Sequence, residues 1–223
     1  ITLSKDGDGF FTGIVTATDY KKADGSAVGG LSSDSDGNTI GGTNAGDSIT
    51  TGANNTTIGK DAGTAITSGA SNVAVGAEAL DANTTADNNT AVGKSAMGSN
   101  TTGANNTAVG QAALATNITS SDNTAVGRAS LSATTGDSNT AVGKGALENN
   151  TSASNNTAVG KEALEANTTG ASNTACGMRS LEANTTADEN TAVGYQAMIA
   201  NTTGTQNVAV GADALDANTT ASY

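Results

Sequence analysis

The chain has 223 residues, a formal net charge of −12, 29 glycines, one cysteine, and no proline, histidine or tryptophan. Aromatic residues make up only 2% of it, which is too few to fill one central globular core of this length. The acidic balance and the absence of any run of ~20 apolar residues predict neither nucleic-acid binding nor membrane insertion.

The first predicted element is a β-hairpin cap over residues 1–22. Two β-prone runs, residues 1–3 and 10–18, flank the turn sequence Asp6-Gly7-Asp8-Gly9. A calcium loop is disfavoured here because Ala17 stands where an EF-hand needs a bidentate Glu. A repeat protein needs such a cap, since an open end exposes its core and an unpaired strand edge.

Residues 23–54 are rich in Gly, Ser and Asp and are interpreted as an irregular transition. They include a degenerate copy of the later repeat, Asn38-Thr39-Ile40-Gly41.

Residues 55–223 repeat one 17-residue unit built around the motif Asn-Thr-Ala-Val-Gly. We call its glycine the marker glycine. Every interval between marker glycines is 17 residues except the 16 between Gly127 and Gly143. The marker glycines are Gly59, Gly76, Gly93, Gly110, Gly127, Gly143, Gly160, Gly177, Gly194 and Gly211. The chain ends within a repeat, so we expect it to be a piece of a longer protein.

Three sets of equivalent positions carry the same residue type from copy to copy. The Val ladder, one residue before the marker glycine, contains Val75, Val92, Val109, Val126, Val142, Val159, Cys176, Val193 and Val210, with Ile58 in the first copy. The Leu ladder, four residues after it, contains Leu80, Leu114, Leu131, Leu147, Leu164, Leu181 and Leu215, with Met97 and Met198 in two copies and Gly63 in the first. The late Asn ladder, seven residues after it, contains Asn83, Asn100, Asn117, Asn150, Asn167, Asn184, Asn201 and Asn218.

A 17-residue unit is too short for a helix pair and suits one coil of a β-solenoid. We therefore predict an all-β fold, a parallel β-solenoid of about ten coils. Each coil has a strand at Asn-Thr-Ala-Val, a turn at the glycine, a second extended piece at Ala-Leu and a wide turn at Asn-Thr-Thr. Stacking at ~4.8 Å places identical side chains above one another, so that asparagines can hydrogen-bond along the axis. A helical turn over residues 161–166 is the alternative for the Ala-Leu segment.

Strand alternation places Ala91 and Val92 on opposite faces. A thin coil has room for alanine inside, which leaves the Val ladder outside. Because proteins rarely leave so large an apolar stripe in water, we expect several parallel chains to associate along it.

The residue inventory argues against an enzyme, a metal site or a cofactor. Without histidine, Ser-His and Cys-His catalysis are absent and zinc lacks its usual nitrogen ligand. Cys176 occupies a Val position and is interpreted as a small hydrophobe. The sequons at Asn83 and Asn167 could accept glycans, but the repeat itself favours a structural Asn ladder there.

The motif Asn88-Asn89-Thr90-Ala91-Val92-Gly93 resembles the head repeats of YadA-type trimeric autotransporter adhesins. The longer pattern, with Ala-Leu and Asn-Thr-Thr-Gly, is similar to repeats of bacteriophage tail fibres, and residues 4–18 are similar to a segment of cyanophage structural proteins. These resemblances imply a left-handed β-roll, a homotrimer, and a surface that meets a host glycan or protein. They also imply other tail proteins as partners and a location in the virion.

The function we expect is the structural shaft of a phage tail fibre. A bacterial adhesin head on the cell surface is the first alternative. An ice-binding solenoid is the second, because Thr90, Thr107 and their counterparts form a regular Thr ladder. Ice-binding solenoids usually show Thr-x-Thr, whereas here Val92 stands two residues after Thr90.

Overall fold

The computed structural model describes residues 31–222, which form a β-solenoid without helices. The strands are β1 (Ser32–Ser33), β2 (Thr39–Gly41), β3 (Thr56–Ile58), β4 (Val73–Val75), β5 (Thr90–Val92), β6 (Thr107–Val109), β7 (Thr124–Val126), β8 (Thr140–Val142), β9 (Thr157–Val159), β10 (Thr174–Cys176), β11 (Thr191–Val193) and β12 (Val208–Val210). The predicted cap over residues 1–22 lies outside the described residues.

One sheet joins all the strands in chain order, and β2 to β12 pair in parallel. Each strand is opposite its own copy, so Thr90 pairs with Thr107, Ala91 with Ala108 and Val92 with Val109. The register persists across the 16-residue unit, where Thr124 pairs with Thr140. β-branched residues on either side of alanine favour these strands, since they fit a pleated surface that is buried on one side.

The Ala-Leu segment is a pair of tight turns, so the prediction of a second extended piece there is wrong. In the coil of Gly76, the Ala79 N–H donates to the Gly76 carbonyl at 3.3 Å, and both Glu78 (φ 59°) and Leu80 (φ 52°) are left-handed. A helix requires negative φ throughout, so the helical alternative is wrong as well. The segment still bonds to its neighbours, with Glu78 N–H donating to Lys60 O and Leu80 N–H to Ala96 O.

The interior of each coil is filled by alanine, leucine or methionine, and asparagine. Leu114, Leu147 and Leu164 are fully buried, as are the central alanines of the strands from β4 to β11. The coil of Gly59 fills the same space differently. Gly63 replaces the leucine, and Ile66, at the late Asn position, is fully buried beside it.

The marker glycines are stacked too closely for any other residue. At Gly143, φ is 139°, and an added Cβ would lie 2.4 Å from the carbonyl oxygen of Gly160 in the next coil. Repetition of this contact along the axis explains why glycine recurs at this position.

The solenoid extends upstream of residue 55. β2 is in parallel register with β3, with Thr39 opposite Thr56, so the degenerate copy forms a coil whose marker glycine is Gly42. β1 pairs with β2 in the antiparallel direction, and it differs in this from every later strand of the sheet.

Candidate functional site: the outer face of the sheet

The outer face consists of the first and third residues of strands β3 to β12. In each strand the central residue is buried, while its two neighbours point outward and are partly or fully exposed. The face therefore carries a threonine rank and the Val ladder side by side, two residues apart along each strand.

The Val ladder lies on this face and is only partly covered by its own chain. Val109, Val159 and Val193 are 37%, 38% and 37% exposed, and Val210, in the last strand, is 71% exposed. Cys176 is a free thiol in the same rank, paired with Val159 and Val193. Val75, Val92, Val126 and Val142 occupy the same rank at intermediate exposure.

The Leu ladder lies inside. Its members from Leu80 to Leu181 have no accessible surface, whereas Leu215 is 50% exposed because no coil of the described residues covers it.

The late Asn ladder is also inside and is hydrogen-bonded along the axis. The Asn100 Nδ2 donates to Asn83 Oδ1 at 3.1 Å, and Asn184 Nδ2 donates to Asn167 Oδ1 at 2.9 Å. Asn117, Asn150 and Asn201 are buried in the same series, and Asn218 ends it, partly buried.

A second asparagine ladder, which the sequence reasoning missed, lies four residues before each marker glycine. This early Asn ladder is fully buried from Asn38 to Asn190. The Asn72 N–H donates to Asn55 Oδ1 at 2.9 Å, and Asn89 N–H donates to Asn72 Oδ1 at 2.9 Å. Its signal in the sequence was plain, because asparagine stands at this position in every copy. Its members are Asn38, Asn55, Asn72, Asn89, Asn106, Asn123, Asn139, Asn156, Asn173, Asn190 and Asn207.

The two Asn ladders meet at one backbone carbonyl in each coil. The Ala86 oxygen accepts from Asn72 Nδ2 at 2.8 Å and from Asn83 Nδ2 at 3.1 Å. A neutral amide can accept from one coil while it donates to another group, which suits an interior where a carboxylate would be costly to bury. The ladders therefore tie the wide turn to the strand across the coil.

The short coil interrupts the late Asn ladder. Thr134 occupies the asparagine position, and its hydroxyl donates to the Gly136 carbonyl at 3.4 Å while accepting from Asn150 Nδ2 at 3.2 Å. No donor therefore reaches Asn117 Oδ1, which is buried and has no partner among the described residues.

The charged side chains lie at the turns beside the outer face. Ion pairs join Lys60 to Asp61 at 3.1 Å, Lys161 to Glu162 at 3.1 Å and Arg179 to Glu182 at 2.7 Å, each between groups of the same coil.

The tightest group of carboxylates is Glu162, Glu165 and Glu182, whose nearest oxygens lie within 4.8 Å of one another. Glu162 and Glu182 have cationic partners, whereas Glu165 has no ion pair among the described residues. Partial burial, together with the negative charges of Glu162, Glu148 and Glu182, raises the pKa of Glu165, and Lys144 offsets part of that effect.

A second acidic region is a shallow groove that contains Asp61, Glu78 and Asp81. Partial burial and the two neighbouring carboxylates raise the pKa of Asp81, against the backbone hydrogen bonds that it accepts. Both regions thus hold clustered carboxylates, one of which in each, Glu165 or Asp81, has a raised pKa.

Two further observations concern modification and membranes. The Asn83 and Asn167 amides are buried and donate to the Ala86 and Gly170 carbonyls, so a glycan has no access to their nitrogens in the folded coil. Among residues 31–222, no helix is long and apolar enough to cross a bilayer.

Comparisons with known proteins return no match: no family model, no curated protein and no solved structure is similar to this chain.

Proposed function

We propose that the chain is the structural shaft of a phage tail fibre, in which three parallel copies associate through their outer faces. The observation that carries the proposal is the Val ladder, a continuous apolar rank that its own chain leaves partly exposed from β3 to β12. Soluble monomers rarely expose so long an apolar rank, and such a rank commonly marks a surface that a partner covers. A host-surface glycan or protein is the candidate receptor, and other tail proteins are the neighbours in the virion.

The interior supports a structural role. Each coil is closed by hydrogen-bonded asparagines and fully buried leucines, so its interior is filled by its own side chains. A repeating coil sets a length by its number of copies, which is what a spacer requires.

The test is the mass of the particle in solution. Sedimentation equilibrium or multi-angle light scattering should give three times the chain mass of 21.4 kDa. A soluble monomer at micromolar concentration would contradict the proposal.

The first alternative is a bacterial adhesin head, which shares the same repeat chemistry. The sequence flanking this chain in its open reading frame separates the two functions. A membrane-anchor domain after the repeats would favour the adhesin, and a chaperone domain or other tail components would favour the fibre.

A second candidate, ice binding, is favoured by one observation: the threonine rank and the Val ladder share one outward face. Ice binding needs that face bare, whereas the fibre needs it covered. Thermal hysteresis in a freezing assay, measured on a preparation of known mass, distinguishes the two functions.

A further inference from the structure

We infer that the copies associate edge to edge, parallel and in register, with a basic edge of one outer face against the acidic edge of the next. The inference rests on the proposed self-association and specifies its register and contacts. Its basis is a match between cations and carboxylates at opposite ends of the same strands.

The basic edge lies one residue after the marker glycines, beside the Val ladder. Lys94, Arg128 and Lys144 are exposed there and form no ion pair among the described residues. The other two cations of this edge, Lys60 and Lys161, are paired with the carboxylate next to them. Three of the five cations of the basic edge are therefore available to pair with another copy.

The acidic edge lies five or six residues before the marker glycines, beside the threonine rank. Asp87, Asp122 and Asp137 are exposed there, in the same coils as Lys94, Arg128 and Lys144. Asp87 and Asp137 each accept a backbone N–H from the preceding coil through one oxygen, Oδ1. Their Oδ2 atoms have no partner among the described residues and remain available to a second copy.

The two sets coincide coil by coil. Where the edge cation is already paired within its chain, the acidic edge carries neutral Asn54 or Asn155 instead. The coil of Gly110 is neutral at both ends, with Asn105 and Gln111. The acidic edge also carries Asp36, Asp188 and Glu189, in coils that have no edge cation. Every unpaired cation therefore has a carboxylate in its own coil, whereas some carboxylates have no cation.

Only one register satisfies all three unpaired cations. In a parallel, unshifted pair of copies, each cation meets the carboxylate of its own coil in the neighbour. Counting every carboxylate of the acidic edge, a shift of one or two coils in either direction leaves at most one of the three cations opposite a carboxylate, and a shift of three coils leaves at most two. The charge pattern therefore selects the register, as charges commonly do at interfaces whose affinity comes from apolar contact.

The two edges belong to the same face, so one copy can offer its basic edge to one neighbour and its acidic edge to another. Such a head-to-tail contact closes into a ring when the rotation between copies allows it. In a ring of three, both edges of every copy are used and the Val ladders are covered.

The test reverses one edge at a time. The triple variant Lys94→Glu, Arg128→Glu and Lys144→Glu makes both edges acidic in these three coils. Its partner variant, Asp87→Lys, Asp122→Lys and Asp137→Lys, makes both edges basic in the same coils. Each should raise the dissociation constant about 100-fold at low salt, since three attractions become three repulsions. The loss should shrink as salt screens these exposed charges.

The matched control is Arg179→Glu, compared with the single edge reversal Arg128→Glu. Both change the net charge by the same amount, but Arg179 lies two residues after its marker glycine, off the basic edge, and is paired with Glu182 within its own chain. It should associate like the original chain. A chain that carries both edge reversals should associate with itself but not with the original chain, and circular dichroism of every variant verifies that the coils are folded.

The outcomes separate this inference from the proposed function. If the original chain is a monomer, self-association itself is wrong. If it is an oligomer and each edge variant associates as tightly as the control, the oligomer stands and the edge-to-edge register is overturned.

Discussion

At the scale of single residues, asparagine combines the roles of hydrogen-bond acceptor and donor in one short, uncharged side chain. In the early ladder, Asn72 accepts the Asn89 N–H through Oδ1 and donates to the Ala86 carbonyl through Nδ2, all without charge. Each such bond contributes about 1 kcal/mol, and leaving a buried partner unsatisfied costs more. The polar interior of this fold is stable because nearly every group in it has a partner.

Glu165 shows the opposite case, a carboxylate in a position that penalises its charge. Its pKa is raised by partial burial and by the neighbouring carboxylates. A raised pKa means that the folded state binds the proton more tightly than the unfolded state. The contribution of Glu165 to the free energy of unfolding is therefore fully present below the pKa of the unfolded state, near the ordinary 4.5. It is lost as the pH rises through the pKa of the folded state.

We predict that Glu165→Gln raises the melting temperature at pH 7, because it removes a penalised charge and retains the size of the side chain. The difference from the original chain should shrink as the pH falls through the raised pKa of the folded state, and it should be lost below the ordinary value of 4.5. Glu182→Gln is the matched control, since it breaks the ion pair with Arg179 and should give no increase. A gain that stays constant between pH 7 and pH 4 would contradict the role assigned to the Glu165 charge.

At the scale of the element, the short coil shows how far the pattern tolerates a deletion. The strand β8 keeps its register with β7 and β9 although one residue of the wide turn is missing. The deletion costs one hydrogen bond, and the loss is local. Thr134 accepts the hydrogen bond from Asn150 Nδ2 but supplies no donor to Asn117 Oδ1.

We predict that inserting one asparagine between Ala133 and Thr134 stabilises the chain, because it restores the 17-residue unit and supplies a donor to Asn117 Oδ1. The expected gain is about 1–3 kcal/mol, the usual cost of an unsatisfied buried group. Chemical denaturation of both chains measures it. Inserting glycine at the same point lengthens the turn without adding the amide and should give a smaller gain.

The period and the repeated residue types were sufficient to predict the parallel stacking, the strand at Thr-Ala-Val and the inward alanine. The turns at Glu78 and Leu80 were not predictable from propensity, because left-handed backbone is unfavourable for residues other than glycine. Here the bonds to adjacent coils determine the conformation. The sequence signals are Gly145 (φ 65°), at the position equivalent to Glu78, and Gly46 (φ 61°) and Gly63 (φ 58°), at the position equivalent to Leu80.

At the scale of the whole molecule, the Val ladder matters more than any interior position. We expect Val92, Val126, Val159 and Val193 to be inaccessible in the assembled protein, whereas the single chain leaves Val159 38% exposed. Association of the chains has to cover this exposed part of the valine side chains. Substitutions at these valines should therefore affect assembly more than the folding of a single coil.

We predict that Val159→Asp lowers the melting temperature of the assembled protein strongly, at a cost on the order of several kcal/mol per chain, because the interface would bury an unpaired charge. Lys161→Asp, two residues away, should cost less than about 1 kcal/mol, since its pair with Glu162 is exposed. Thermal melts at several protein concentrations make the comparison. Equal melting points would show that the Val ladder is not covered.

The backbone hydrogen bonds between strands run along the solenoid axis, and this has a mechanical consequence. Tension along the axis loads the short bond sets between coils in series, so the coils should open one at a time rather than together. Each opened coil of 17 residues releases about 50 Å of chain, against the ~4.8 Å it occupied when stacked. A shaft built this way lengthens in steps under load, and the coil with the interrupted ladder, around Thr134, is a natural first place to yield.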